Sequence, residues 1–265
     1  MSAIRLGTRA STLATTQSEM VAGLLRSEGL DVNLTTITTH GDTSTASLAA
    51  MGGIGVFASA IRAALLEGEA DIAVHSFKDL PTGRPLGLAI GAVPARADPR
   101  DALVARDGLT LHDLPQEASV GTGSPRRAAQ LLAVRPDLTI VDIRGNVDTR
   151  LGRVKGLGRY AKNGGKEDLD AVVLAASGLA RLGHSGAVTE FLDPSVVLPA
   201  PAQGALAVEC RTADSRHGKL AKALARIDDR RTRLAATAER AVLSHLEAGC
   251  AAPIGALAQL KPVSG

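Results

Sequence analysis

Three places in this chain put arginine where a strand runs into a helix. Gly121-Thr122-Gly123-Ser124-Pro125-Arg126-Arg127 follows an apolar segment and opens a helical pattern, with Ser124 placed to cap the helix and Pro125 at its first position. Free backbone amides and the positive helix end attract anions there, and Arg126 and Arg127 can add bidentate bonds. The arrangement recurs at Arg144-Gly145-Asn146-Val147-Asp148-Thr149-Arg150, where Asn146 can cap, and at Arg9-Ala10-Ser11. A solvated arginine pair on a capped helix gives the same pattern at any single place. Three such junctions are harder to treat as accidents, because in open α/β sheets they share one edge and converge.

Charge points the same way. From residue 121 to 181 there are eight Arg and three Lys against six acidic residues, while the whole chain carries only +3. The segment lacks a Gly-x-x-x-x-Gly-Lys-Ser/Thr loop, yet planar guanidinium forks match carboxylates and phosphates equally well, so these residues alone leave that choice open.

Two further residues could do chemistry. Ala70-Asp71-Ile72-Ala73-Val74-His75-Ser76-Phe77-Lys78-Asp79 runs from an apolar strand into a polar cluster. Asp79 can exchange a proton or stabilise a developing cation. The bland reading is a surface ion pair with Lys78, beside a satisfied buried His75. Cys250 follows His245-Leu246-Glu247-Ala248-Gly249, so a helix is expected to stop at Gly249 and leave the thiol in a turn before Pro253. Cys210, inside an apolar strand, reads as a packed core residue, and packing explains Cys250 equally well when that residue is taken alone.

The elements that must position these groups alternate. Apolar segments at 4–6, 32–37, 71–74, 102–104, 138–141, 171–174 and 205–208 lie between helical windows at 11–26, 58–67, 125–134 and 230–247. The pattern predicts an α/β fold with a mostly parallel sheet flanked by helices. Prolines at 94 and 99, and again at 194, 199 and 201, mark two crossings between domains. The expected division is 1–96 with 192–214 as domain 1, 97–191 as domain 2, and 215–265 as part of a third. A cleft between domains is the expected ligand site. Residues 156–168, with four glycines, read as a mobile surface loop without chemistry.

Composition excludes several classes. Hydrophobic residues make up 45% and charged residues 22%, which is ordinary for a globular protein. With no Trp, one Tyr and three Phe there is little to stack bases against, so nucleic acid is not the expected partner. Charges, Gly or Pro interrupt every apolar run before the roughly 18–20 residues a bilayer span needs. The opening residues show no secretory leader, and a cytoplasmic location with no membrane partner is expected. Two cysteines suggest no disulfide framework, no metal ligand set is evident, and a monomer is expected.

Taken together, Thr8-Arg9-Ala10-Ser11, His75-Ser76-Phe77-Lys78-Asp79, Gly121 to Arg127, Arg144 to Arg150, Pro199 to Cys210 and Leu246 to Gly255 strongly resemble the porphobilinogen deaminase (hydroxymethylbilane synthase) family, in order and spacing, over about residues 3–260. The resemblance implies two domains like those of type 2 periplasmic binding proteins and a small C-terminal α+β domain. It implies a transferase of tetrapyrrole (haem) biosynthesis that joins four porphobilinogen molecules head to tail, releases ammonia at each step and frees hydroxymethylbilane. It also implies a dipyrromethane cofactor attached through a cysteine thioether, with Cys250 as that cysteine and Asp79 as the catalytic aspartate. Arg9, Ser11, Ser76, Lys78, Thr122, Ser124, Arg126, Arg127, Arg144, Arg150 and Arg181 fall where family members contact acetate and propionate groups, and Gln203 lines the same cleft by resemblance. Each added pyrrole brings two more carboxylates, which gives a reason for so many arginines.

Two departures stand out. The chain ends at Gly265, after an expected strand at Ile254 to Leu260, whereas the family's third domain continues, so a shortened third domain is expected. The segment before Phe57 has no lysine at 50–56 where the family often does, and 156–168 is longer than the family pattern. The alternative to an active enzyme is therefore a truncated, inactive paralogue that binds a polycarboxylate ligand without turnover.

Overall fold

The computed structural model describes residues 3–37, 56–83, 85–248 and 252–260. The chain forms two compact units. Unit 1 takes 1–97, 205–250 and 258–265, and unit 2 takes 98–204 and 251–257.

Unit 1 contains β1 (Ile4–Thr8), α1 (Thr12–Ser27), β2 (Val32–Thr36), α2 (Val56–Leu66), β3 (Ile72–Ser76) and β4 (Leu88–Ala92). Its sheet runs β2-β1-β3, then a strand from late in the chain, then β4. The first three strands are parallel, with Leu6 opposite Ile72 and Leu34. Alternation along β3 sends Ile72 and Val74 to one face and Ala73 to the other. α1 covers the first face with Val21, Ala22 and Leu25, and α2 covers the second with Ile61 and Leu65.

Unit 2 contains β5 (Asp101–Ala105), β6 (Ser119–Gly121), α3 (Pro125–Val134), β7 (Thr139–Val141), α4 (Val147–Leu151), β8 (Ala171–Ala175), α5 (Ala176–Arg181) and β9 (Glu190–Phe191), with sheet order β7-β6-β8-β5-β9. Strand β5, between β8 and β9, is buried along its whole length, because Leu103 and Ala105 enter one core and Ala102 and Val104 the other. That two-sided burial explains its unbroken apolar run.

The chain then returns to unit 1 as β10 (Leu206–Arg211), followed by α6 (Gly218–Ile227) and α7 (Arg230–His245). β10 lies antiparallel between β3 and β4, with Val208 opposite Val74. Leu224 of α6 packs into the same core as Leu6 and Leu25.

The α/β fold with two sheet-bearing units follows the sequence expectation, with three differences. The sheets are mixed rather than mostly parallel: β10 inserts antiparallel into one, and β5 is antiparallel to both β8 and β9 in the other. Residues 192–204 lie in unit 2, where Leu192 N donates to Asp101 O at 2.9 Å, and α6 and α7 group with unit 1. Ile254 to Leu260 is not a strand, since Ala256 N bonds to Pro199 O and Ala258 N to Glu239 Oε1, with no ladder beside them.

Within 156–168, Gly158–Tyr160 forms a tight turn, and a Cβ on Gly165 would fall 1.6 Å from Gly152 O, so the two backbones meet where only glycine fits. α7 stops at His245, before the expected Gly249, with Glu247 at φ 50°. Gly249, Cys250 and the lysine-free segment 50–55 lie outside the described residues. Among the described residues, no helix is long and apolar enough to cross a membrane.

Candidate functional site

In unit 2 the glycine-bearing loop leaves β6 and starts α3 as its residue types dictate. A Cβ on Gly123 would sit 2.7 Å from the backbone Ile143 O, so that position does not tolerate a side chain, while one on Gly121 would press on Leu169 Cδ1 at 2.6 Å. Ser124 Oγ accepts from Arg127 N, Thr122 Oγ1 accepts from Ser124 N at 3.2 Å, and Pro125 occupies the first turn.

The arginines of that helix turn inward. Arg126 and Arg127 are 4% and 6% exposed, and both meet Asp101, which is fully buried. Arg126 Nη2 donates to Asp101 Oδ2 at 2.7 Å, and Arg127 Nε and Nη2 donate to Oδ1 at 3.0 and 2.7 Å. Arg126 Nη1 also reaches Leu198 O, and Arg127 Nη1 reaches Val173 O. Gln203 closes the cluster, its Nε2 donating to Asp101 Oδ1 and to Pro99 O at 2.8 Å each. Burial pushes the Asp101 carboxyl up, but the charges and hydrogen bonds of Arg127 and Arg126 outweigh it and hold it at about 2. The pair is thus neither a solvated surface feature nor two outward forks, but part of a buried cluster with one positive charge in excess.

Asn146 caps α4 by accepting from Thr149 N at 2.8 Å. Arg150 of that helix is half-buried, and its Nε donates to Gly145 O. Burial lowers its pKa, and the nearby charge of Arg127 lowers it further. Arg144 is exposed, with Nε 3.8 Å from Asp142. Arg181, in the last turn of α5, donates through Nη2 to Gly204 O at 2.7 Å. Its Nε is buried without a hydrogen-bond partner, and burial alone drives its pKa down to about 10. Among the described residues, no carboxylate meets it.

In unit 1, β1 and β3 are parallel neighbours, so Arg9 and Ser11 after the one, and Ser76 at the end of the other with Phe77 to Asp79 beyond it, lie at the same sheet edge. Ser11 caps α1. Gln17 of α1 bonds Ser76 Oγ at 3.0 Å, and Ser18 Oγ donates to Thr8 Oγ1 at 2.8 Å, which fixes the helix against both strand ends. Arg9 and Lys78 are half-buried, and Asp79, in the turn Phe77–Asp79, is exposed. His75 Nε2 lies 3.3 Å from Glu209 Oε2 without hydrogen-bond geometry, so it is not the satisfied group expected from the sequence. Arg62 is the stronger partner of Glu209, at 3.0 Å.

Sequence reasoning missed Asp101 and Arg240. Arg240 of α7 donates to Phe77 O and Leu80 O at 2.7 Å and to Pro81 O at 2.8 Å, and its guanidinium lies 4.5 Å from the Phe77 ring centroid. It therefore holds the turn that carries Asp79. One signal could have found it: Glu239 and Arg240 fall on the buried face of α7, in register with Thr232, Ala235, Ala236 and Leu243.

Cys210 does not suit a covalent attachment. It is fully buried in β10 between β3 and β4, and burial pushes its thiol up to about 11. Among the described residues, no group of three or more His, Cys, Asp or Glu could hold a metal ion.

Comparison with known proteins shows the family. The family model for the dipyrromethane cofactor binding domain of porphobilinogen deaminase matches residues 4–219, and that for the C-terminal domain of porphobilinogen deaminase matches 233–264. Curated relatives named porphobilinogen deaminase include those of Micrococcus luteus, 57% identical over 98% of this chain and 74% of the relative, and Leifsonia xyli subsp. xyli, 58% identical over 97% and 76%. Among solved structures, a nutrient binding protein from Burkholderia cenocepacia bound to methionine aligns with a TM-score of 0.47 and 16% identity, over 84% of this chain and 91% of that one. With both family models matched along nearly its whole length and the capped, arginine-bearing junctions in place, the chain belongs to the porphobilinogen deaminase family.

Proposed function

We propose that the protein is a hydroxymethylbilane synthase, a transferase that condenses four porphobilinogen molecules head to tail with loss of ammonia at each step. Arg181 carries this reading on the structural side: a half-buried guanidinium whose Nε is unpartnered suits a ligand carboxylate. A binder without turnover is the weaker reading, because relatives that share more than half of its residues are named as deaminases.

The residues of unit 2 fit a dipyrromethane, since a dipyrrole bearing acetate and propionate groups needs guanidinium donors. Arg144, Arg150 and Arg181, with Thr122, Ser124 and the Arg126–Arg127–Gln203 cluster behind them, are the residues proposed to hold those carboxylates, along with Arg9, Ser11, Ser76 and Lys78 of unit 1. Attachment is proposed at Cys250, which lies outside the described residues. When bound, the dipyrromethane supplies the pyrrole end from which the chain grows.

Asp79 is proposed to do the chemistry. As ammonia leaves porphobilinogen, positive charge develops on the substrate, and a carboxylate fixed at a strand end stabilises that charge. The turn is anchored through Arg240 rather than through Asp79 itself, so the carboxylate stays available. We place the enzyme in the cytoplasm as a monomer that acts on a small molecule rather than on nucleic acid or a membrane.

Asp79→Ala tests the reading. Porphobilinogen turnover is expected to fall by at least a thousandfold while circular dichroism and the melting temperature stay near wild type, because the side chain is exposed. Near-normal product formation by this variant would remove Asp79 from the mechanism.

A further inference from the structure

Asp101 is the buried acid on which the candidate binding residues of unit 2 meet. Its side chain takes hydrogen bonds from Arg126, Arg127 and Gln203, and its backbone lies opposite Ala175, the residue that leads into α5 and Arg181. Leu192 N also donates to Asp101 O, and Ala176 N to Arg100 O. Two adjacent buried guanidiniums would repel each other, and both would lack an anion, were the carboxylate not between them. A buried charge cluster of this kind is a poor source of net stability, since well-packed apolar side chains serve a core equally well. What it does supply is a fixed direction for each guanidinium plane.

We propose that Asp101 is a positioning residue for carboxylate recognition: it orients Arg126, Arg127 and Gln203 and sets the net positive charge that their cluster presents to the dipyrrole and its substrate. This rests on the hydroxymethylbilane synthase reading. Asp101, being fully buried, touches neither ligand and acts only through the three side chains it holds.

Unit 2 also supplies an internal control. Asp170 is 8% exposed and is likewise held by two cations, Arg106 at 2.8 Å and Lys155 at 2.9 Å, with Ser119 on its other oxygen. Its side chain bonds to none of the candidate binding residues. Asp101→Asn and Asp170→Asn therefore remove the same charge from the same unit with different expected consequences.

The test is the fraction of purified protein that carries a covalent dipyrrole by intact mass, read beside the melting temperature. Asp101→Asn is expected to lower the loaded fraction at least fivefold, Asp101→Glu to restore part of it, and Asp170→Asn to stay within twofold of wild type at a comparable fall in melting temperature. If Asp101→Asn does not fold, the loaded fraction of Asp101→Glu decides: partial loading supports the proposal and full loading overturns it. Full loading of Asp101→Asn, or an equal loss in Asp170→Asn, would show that Asp101 acts only through stability. Wild-type protein that neither carries the added mass nor binds porphobilinogen in calorimetry would sink the function, and this inference with it.

Discussion

Arg181 carries its charge into a place where no described carboxylate meets it. Its Nε is unpartnered and burial alone lowers its pKa, so the folded state bears a cost that a neutral side chain of similar length would relieve. Arg181→Met is accordingly expected to leave the melting temperature within a few degrees of wild type, relief of the buried charge offsetting the lost bond to Gly204 O, and to raise the porphobilinogen KM about tenfold or more. Thermal melts and steady-state kinetics check the two halves together. A lower melting temperature with unchanged KM would mean that Arg181 serves the fold. None of this was legible locally, because Arg181 closes an ordinary short helix and was singled out only through the family pattern. Asp101 was invisible for a related reason. An acid before Ala-Leu-Val-Ala reads as the polar end of a strand, and only the tertiary approach of α3 shows that two arginines converge on it.

At the scale of elements, what was legible depended on whether the signal was local. Ser11, Ser124 and Asn146 cap the helices assigned to them, and Pro125 starts α3, because capping is decided within four residues. The strands β1, β2, β3, β5, β7, β8 and β10 coincide with apolar segments of the sequence, whereas β4, though an apolar Leu-Ala-Ile-Gly-Ala run, and the two-residue β9 were not among them. Sheet direction was not legible, since the antiparallel insertion of β10 depends on a return of the chain over more than a hundred residues. The same long return brings α7 against the turn that bears Asp79, where Arg240 satisfies three carbonyls from one guanidinium. Arg240→Met keeps the stem and deletes those donors. It is expected to cost roughly 2–4 kcal/mol, as buried carbonyls lose their partners, and to lower kcat more than it raises KM, because the displaced turn carries Asp79, the carboxylate proposed to do the chemistry, and only Lys78 of the proposed carboxylate-binding residues. Urea denaturation and kinetics on the folded variant test this, and a large KM rise with unchanged kcat would contradict it.

For the whole molecule, counting charges overstated the site and counting thiols narrows it. Three of the eleven cations between 121 and 181 are already paired within the segment, Arg135 with Asp137, Arg153 with Asp168, and Lys155 with Asp170. Of the residues proposed to meet a ligand there, Arg144, Arg150, Arg181 and the net charge of the Asp101 cluster lie outside those pairs. The chain has two thiols, and attachment of a dipyrrole requires a sulfur that can ionise and be reached. Cys210 meets neither condition, being fully buried with its thiol pushed up to about 11. That leaves Cys250, which lies outside the described residues but within the stretch matched by the C-terminal family model. Intact wild-type protein is therefore expected to exceed the mass of its sequence by one dipyrrole, Cys250→Ser to sit at the sequence mass, and Cys210→Ser to keep the addition. Mass spectrometry of the three proteins separates the two cysteines directly, since loss of the addition in Cys210→Ser with its retention in Cys250→Ser would place the attachment in the core of unit 1 and overturn the assignment.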